Sequence, residues 1–171
     1  GGTGGTVTLG ADMGVSGSYP NTIRVTAGSY IFDLAGNDLA YRGAGIVVSD
    51  GADLTIDNGT VTLQTTPAGD SISPSNTGPI TINAQITGGF KFQKGGTGAA
   101  TLTNDANNFT GELKTARGSL TIDSIANKTV ASSAGAGSEV ELGVNGNLIY
   151  SGVGHSTDRN LTLSGTGGSG S

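Results

Sequence analysis

Short triplets of an apolar residue, threonine and a second apolar residue recur along the chain, and their spacing constrains the fold more than any other feature. They are Val7-Thr8-Leu9, Leu54-Thr55-Ile56, Val61-Thr62-Leu63, Ile80-Thr81-Ile82, Ala100-Thr101-Leu102, Leu120-Thr121-Ile122, Val140-Glu141-Leu142 and Leu161-Thr162-Leu163, with glutamate once replacing threonine. From residue 61 onward they begin at 61, 80, 100, 120, 140 and 161, in steps of 19 to 21 residues. A period kept through six occurrences is the mark of stacked repeats. Second apolar segments lie between the triplets: Phe90-Lys91-Phe92, Phe109 to Leu113, Val130-Ala131 and Leu148-Ile149-Tyr150. Each unit therefore supplies at least two short strands and two turns.

Alternation with period two puts the outer members of a triplet on one side of the strand and its central residue on the other. One such unit cannot bury its apolar side alone, whereas stacking units as the rungs of a solenoid does so. The expected architecture is an all-β solenoid with about 20 residues per coil. Val61/Leu63, Ile80/Ile82, Ala100/Leu102, Leu120/Ile122, Val140/Leu142 and Leu161/Leu163 would then form inward ladders. Thr62, Thr81, Thr101, Thr121, Glu141 and Thr162 would form one outward ladder, a possible binding face. A sandwich also has many short strands, but it does not require a constant register and a solenoid does. The chain reads as a single segment over residues 1–171, with less regular coils in 1–60 and regular repeats in 61–165.

Composition agrees with this reading and excludes several others. Glycine supplies 32 of 171 residues, far above the usual share of roughly 7%. There is no Gly-X-Y period and only 4 prolines, so the glycine is not collagen-like. Cysteine is absent, which removes disulfides, thiolate catalysis and cysteine-ligated metals. The net charge is −5 with the 8 basic residues scattered, so no phosphate-neutralising footprint for nucleic acid exists. No apolar run is long enough to cross a bilayer as a helix, so no direct membrane insertion by this segment is expected.

Chemistry-bearing residues are sparse. His155, the only histidine, could act as a base with Asp158 and a nearby serine, but no Gly-x-Ser-x-Gly elbow precedes it and a solvated loop is the simpler reading. Asp50, Asp53 and Asp57 form the densest acidic group, followed by Asp105 and Glu112. Paired carboxylates suit glycoside hydrolysis only at a set separation, and Asp53 and Asp57 read more simply as turn residues closing a strand. Asn104, Asp105, Asn107 and Asn108 could offer oxygens to calcium, yet Gly95-Gly96-Thr97-Gly98 is followed by Ala100 where the calcium-binding nonapeptide has Asp. An ice-binding face would need two threonine columns, and Thr-x-Thr occurs only at Thr6/Thr8, Thr60/Thr62 and Thr101/Thr103. Sequons at Asn58, Asn108, Asn127 and Asn160 are expected by chance in a chain rich in turn Asn and strand Thr. No Gly-Lys pair leads into a helical period, so the glycine-rich stretches are not phosphate cradles. Neither a catalytic residue, nor a metal site, nor a cofactor is assigned.

The segment Phe92 to Asp123 resembles the passenger-associated repeat of Gram-negative autotransporters. Lys94, Gly96 and Gly98 match the opening of that repeat and Leu102 a strand leucine. Asn108-Phe109-Thr110-Gly111 fits its centre with Phe109 in place of Tyr, and Gly118-Ser119-Leu120 fits its end. Ala100 stands where a larger apolar residue is usual. The similarity covers residues 80–165 well and the earlier part in style. It implies a right-handed parallel β-helix displayed at the bacterial surface or secreted, a structural and adhesive role, and partners among host or neighbouring-cell surfaces, glycans or further copies of itself. Both ends read as mid-solenoid, so the signal and membrane anchor are expected outside this chain.

Overall fold

The computed structural model describes residues 3–14, 22–41, 45–64 and 71–164. The glycine-rich stretch at 165–170 lies outside them. The described chain holds no helix; its strands stack in parallel as a β-solenoid of about 6 turns. The strands are β1 (Gly5–Thr8), β2 (Thr22–Val25), β3 (Gly28–Asp33), β4 (Asp38–Tyr41), β5 (Gly45–Val48), β6 (Ala52–Asp57), β7 (Thr60–Leu63), β8 (Ile80–Ile82), β9 (Gln85–Thr87), β10 (Phe92–Lys94), β11 (Ala100–Leu102), β12 (Leu113–Ile122), β13 (Glu139–Tyr150) and β14 (Asn160–Ser164). Most are three to six residues long because Gly, Asn and Asp at their ends favour corners over continued extension.

The coil has three sides. A broad face runs through β1, β3, β6, β8, β11 and the second halves of β12 and β13. A short face holds β4, β7 and β9, joined by the bridge from Met13 to Leu39. A flank face begins with β2 and β5 and passes through Ile72, which bridges Ile46 and Lys94. It continues through β10, the first halves of β12 and β13, and β14. β12 and β13 thus each serve two faces, with a register shift between Thr115 and Arg117 where the chain turns the corner.

Inward residues stack rung on rung at the parallel-strand spacing of about 4.8 Å. On the broad face the inner columns are Tyr30–Leu54–Ile80–Ala100–Leu120–Leu148 and Phe32–Ile56–Ile82–Leu102–Ile122–Tyr150. From Leu54 to Ile122 every member is buried, each large side chain contributing roughly 1.5–3 kcal/mol. Phe92 and Phe109 fill the centre with ring centroids 5.9 Å apart. Phe109 lies against Gly135, where an added Cβ would come within 2.5 Å of its ring. Gly135 also has φ +77, so neither space nor backbone there admits a side chain.

The coil length differs from the sequence expectation. Along the first broad-face column the intervals are 24, 26, 20, 20 and 28 residues, a spacing of about 24. The uniform 20-residue period holds only from Ile80 to Leu120. Elsewhere it linked triplets on different sides: Val61 belongs to the short face, and Val140 and Leu161 to the flank face. Val140 is buried as expected, whereas Leu161 and Leu163 are exposed on β14. Ala100 causes no gap in burial; it lies between Ile80 and Leu120, all nearly inaccessible.

Candidate functional site: two outer strips

On the broad face the outward column reads Thr6–Ile31–Thr55–Thr81–Thr101–Thr121–Ile149. Thr81, Thr101 and Thr121 come together as the alternation predicts. Thr62 does not join them: it sits on the short face between Ala40 and Thr87, its hydroxyl 3.3 Å from that of Thr87. Thr55 takes its place. The hydroxyls of Thr55, Thr81, Thr101 and Thr121 make no hydrogen bond within the protein among the described residues. They form a half-exposed strip of four consecutive rungs. Beside it Asp33 and Asp57 pair across one rung, and the Thr103 hydroxyl donates to Asn83 Oδ1 at 2.7 Å, so the adjoining positions are polar and partly acidic.

Glu141 and Thr162 belong to a second strip, on the flank face, in the column Gln93–Lys114–Glu141–Thr162. Lys114 Nζ lies 2.7 Å from Glu141 Oε1 across one rung, and the Ser164 hydroxyl donates to the same carboxylate. Glu112 is hydrogen-bonded to Glu141 as well. Hydrogen bonds from Glu112, Lys114 and Ser164 hold the Glu141 carboxyl down to about 2. Glu112 is pushed up to about 7, first by burial and then by the hydrogen bond and charge of Glu141, against the opposing pull of Lys114 and Lys91. Carboxyl groups in hydrogen-bond contact are closer than the roughly 5–9.5 Å that glycoside hydrolysis uses. A pair this close is not spaced to straddle a sugar.

The remaining candidates serve the scaffold. His155 Nδ1 meets the Tyr150 hydroxyl at 2.5 Å. Asp158 turns away from it, accepting from the Lys128 backbone N–H at 2.8 Å, so the two do not form a base–orienter pair. Asp53 and Asp57 are outward members of β6, not turn residues, and Asp53 accepts the Ser29 hydroxyl. Asp105 accepts the Ser124 hydroxyl. The Asn107 amide is buried, its Oδ1 on Ile86 N–H at 2.7 Å and its Nδ2 on the Ser133 carbonyl at 3.1 Å. It thus replaces a strand partner instead of facing a cation.

The family-motif residues are structural. Leu102, Phe109 and Leu120 are core, and Asn108 donates its backbone N–H to Ile86 at 3.0 Å. Gly96, Gly98 and Gly111 pass directly against the backbone of the preceding rung. Lys94 is inaccessible and stands in the inward flank column, donating to the carbonyls of Gly95, Gly96 and Arg117 at 2.6, 2.9 and 3.1 Å. Burial lowers its ammonium pKa to about 8, and the three carbonyls supply the contacts a buried charge requires. A second buried cation, Arg159, donates to the carbonyls of Ala126, Ala134 and Gly135 at 2.9, 2.8 and 2.6 Å. With Thr157 and Asp158, which bond to Ala126 and Lys128, it closes the loop at 126–135 from the following coil. The sequence marked Lys94 through the family motif and gave no sign of the buried role of Arg159.

Comparison with family models, curated proteins and solved structures finds no match to this chain. The fold stands on its own geometry. The solenoid is consistent with a β-helical passenger, and the passenger resemblance itself rests on the residues quoted above.

Proposed function

We propose that this chain is a non-catalytic, stiff segment of an extracellular bacterial surface protein of autotransporter-passenger type. Its broad face would offer a multivalent polar strip to glycans or to another cell. The observation that carries the reading is the column Thr55–Thr81–Thr101–Thr121, whose hydroxyls are uncommitted and repeat once per rung. A ligand with repeating polar groups would meet the same donor and acceptor at each step, and weak contacts of this kind multiply when presented in tandem. The rungs beneath are apolar and closely stacked, so the strip is held flat without help from a partner. Export and anchoring would be supplied by sequence outside these residues.

Binding of the purified protein to a glycan array and to whole bacteria tests this, using wild type and a Thr81→Lys/Thr101→Lys/Thr121→Lys variant. The expected result is saturable binding that the variant loses by about tenfold or more. Equal binding by both, or no binding by wild type, overturns the adhesive reading. Release of reducing or unsaturated sugar ends from any polysaccharide overturns the non-catalytic one.

A further inference from the structure

The outward strip of the broad face changes character at its N-terminal end. Beyond Thr55 its next members are Ile31 and Thr6, so an isoleucine that is 44% exposed interrupts a run of hydroxyls. Two residues back along the same strands Ser29 and Asp53 stand opposite each other, and the Ser29 hydroxyl donates to Asp53 Oδ2 at 2.5 Å. Glycine shapes the surface beside them. Gly4 passes so close to Ser29 that an added Cβ would come 1.6 Å from its carbonyl oxygen, whereas one on Gly5 would meet nothing within 4 Å. Without side chains at these two positions, a depression of about 390 Å³ is left between Thr6, Ser29, Ile31, Asp53 and Thr55. That volume falls within the roughly 300–1,000 Å³ of small-ligand sites.

We propose that this depression is a subsite for one neutral hexose ring of a glycan that continues along the threonine strip. The subsite rests on the adhesive reading given above and supplies its ligand class. A pyranose has an apolar C–H face and a rim of hydroxyls, and the depression has the matching order, with Ile31 in the middle and polar groups around it. Ser29 gives its single hydroxyl proton to Asp53, so both residues face a ligand as acceptors. Thr6 and Thr55, whose hydroxyls have no partner among the described residues, can donate as well as accept. Two adjacent sugar hydroxyls donating to Asp53 and Ser29 would make one charge-assisted bond and one neutral bond, and a third would meet Thr6 or Thr55.

Charge selects among sugars. Among the described residues the lining holds no cation. A uronic or sialic acid would bring a second negative charge beside Asp53 with nothing to balance it, and such an unpaired charge is what rejects a competing ligand. Thr55 belongs to both the depression and the strip, so the sugars that follow run on over Thr81, Thr101 and Thr121. Every group named is reachable from solvent, so a single ring binds weakly, at about 1–10 mM, and tandem contacts along the strip raise the affinity of the longer chain.

Methyl-detected NMR of the purified chain tests the subsite, with titration by the methyl pyranosides of glucose, galactose and mannose and by glucuronic and N-acetylneuraminic acids. At least one neutral pyranoside should shift the Ile31, Thr6 and Thr55 methyl signals saturably and leave Thr62 and Thr87 of the short face unmoved. Both acids should bind at least about fivefold more weakly. Asp53→Asn should weaken the neutral sugar about tenfold through the lost charge-assisted bond, and Ile31→Ser about three- to tenfold through lost apolar contact. No shift with any neutral sugar, tighter binding of an acid, or unchanged affinity in either variant overturns the subsite. The two readings fail separately. Glycan or cell binding that Thr81→Lys/Thr101→Lys/Thr121→Lys abolishes, with no shift at Ile31, removes the subsite and keeps the strip; shifts at Ile31 without glycan-array or cell binding keep the subsite and remove the strip.

Discussion

The inner columns of the broad and flank faces follow the same ladder geometry and carry different chemistry. On the broad face Leu54, Ile80, Ala100 and Leu120 succeed one another, with Ile56, Ile82, Leu102 and Ile122 alongside, all apolar and buried. On the flank face the column begins in the same way with Ile23, Ile46 and Ile72, then passes to Lys94 and Thr115 before returning to Leu142. The difference appears where the corner becomes irregular: glycines at 95 and 96 turn the chain after β10, and β12 shifts register after Thr115. The carbonyls of Gly95, Gly96 and Arg117 at this corner turn toward the Lys94 side chain, and an apolar side chain could not bond to them. The ammonium of Lys94 does. Regular rungs are held by apolar burial, and irregular ones by a charge placed where the ladder fails.

Substitutions can break this comparison. Ile82→Ala empties a site between Ile56 and Leu102 and should lower unfolding free energy by about 3–4 kcal/mol, read as a drop in urea midpoint with unchanged slope. Arg159→Ala removes one donor from each of the carbonyls of Ala126, Ala134 and Gly135, leaving Thr157 on the first and Ser132 on the last, and should cost about 2–3 kcal/mol. Its signature is local: hydrogen exchange should accelerate first in 126–136. Lys94→Met keeps the volume and deletes the donor, so a loss of about 2–3 kcal/mol is expected. A neutral or stabilised Lys94→Met would mean that the corner relaxes around an apolar residue and that the contrast between the faces is one of sequence alone.

A weaker effect sharpens the same point through pH. With its folded value near 8 against 10.5 otherwise, Lys94 releases its proton in the native state before the unfolded chain does. Its contribution to stability therefore rises with pH between these values. The difference in urea midpoint between wild type and Lys94→Met should grow across that range in favour of wild type, and a flat difference would contradict the lowered value. Smallest of all, Thr101→Val on the outer strip should change stability by no more than about 0.5 kcal/mol, since its hydroxyl has no partner to lose.

The sequence made the solenoid legible because alternation encodes inside against outside, and triplets such as Ile80-Thr81-Ile82 carry that signal in three residues. It does not encode which of three sides a triplet occupies. Val61-Thr62-Leu63 and Leu54-Thr55-Ile56 have the same pattern, yet the first lies on the short face and the second on the broad one. A step of 19 residues from Val61 to Ile80 therefore looked like one coil although it crosses sides. The outer strip was half legible for the same reason: Thr81, Thr101 and Thr121 were placed, Thr55 was passed over, and Glu141 and Thr162 belong elsewhere. The contact between Glu112 and Glu141 had no local signature, since it depends on the 27-residue offset that pairs Lys114 with Glu141. Lys94 was visible only as part of a motif, because nothing in one dimension distinguishes a lysine that faces solvent from one that faces carbonyls.

The closure of the 126–135 loop by Thr157, Asp158 and Arg159 also sets an order of events. Those bonds reach 24 to 33 residues back along the chain, so the carbonyls of Ala126 and Ala134 and the Lys128 N–H receive these partners only when the next coil arrives. A coil made or released first waits, half-finished, for the one that follows, and growth of the solenoid leaves its newest corner always the least settled part. Completion travels as a front one turn behind the advancing chain.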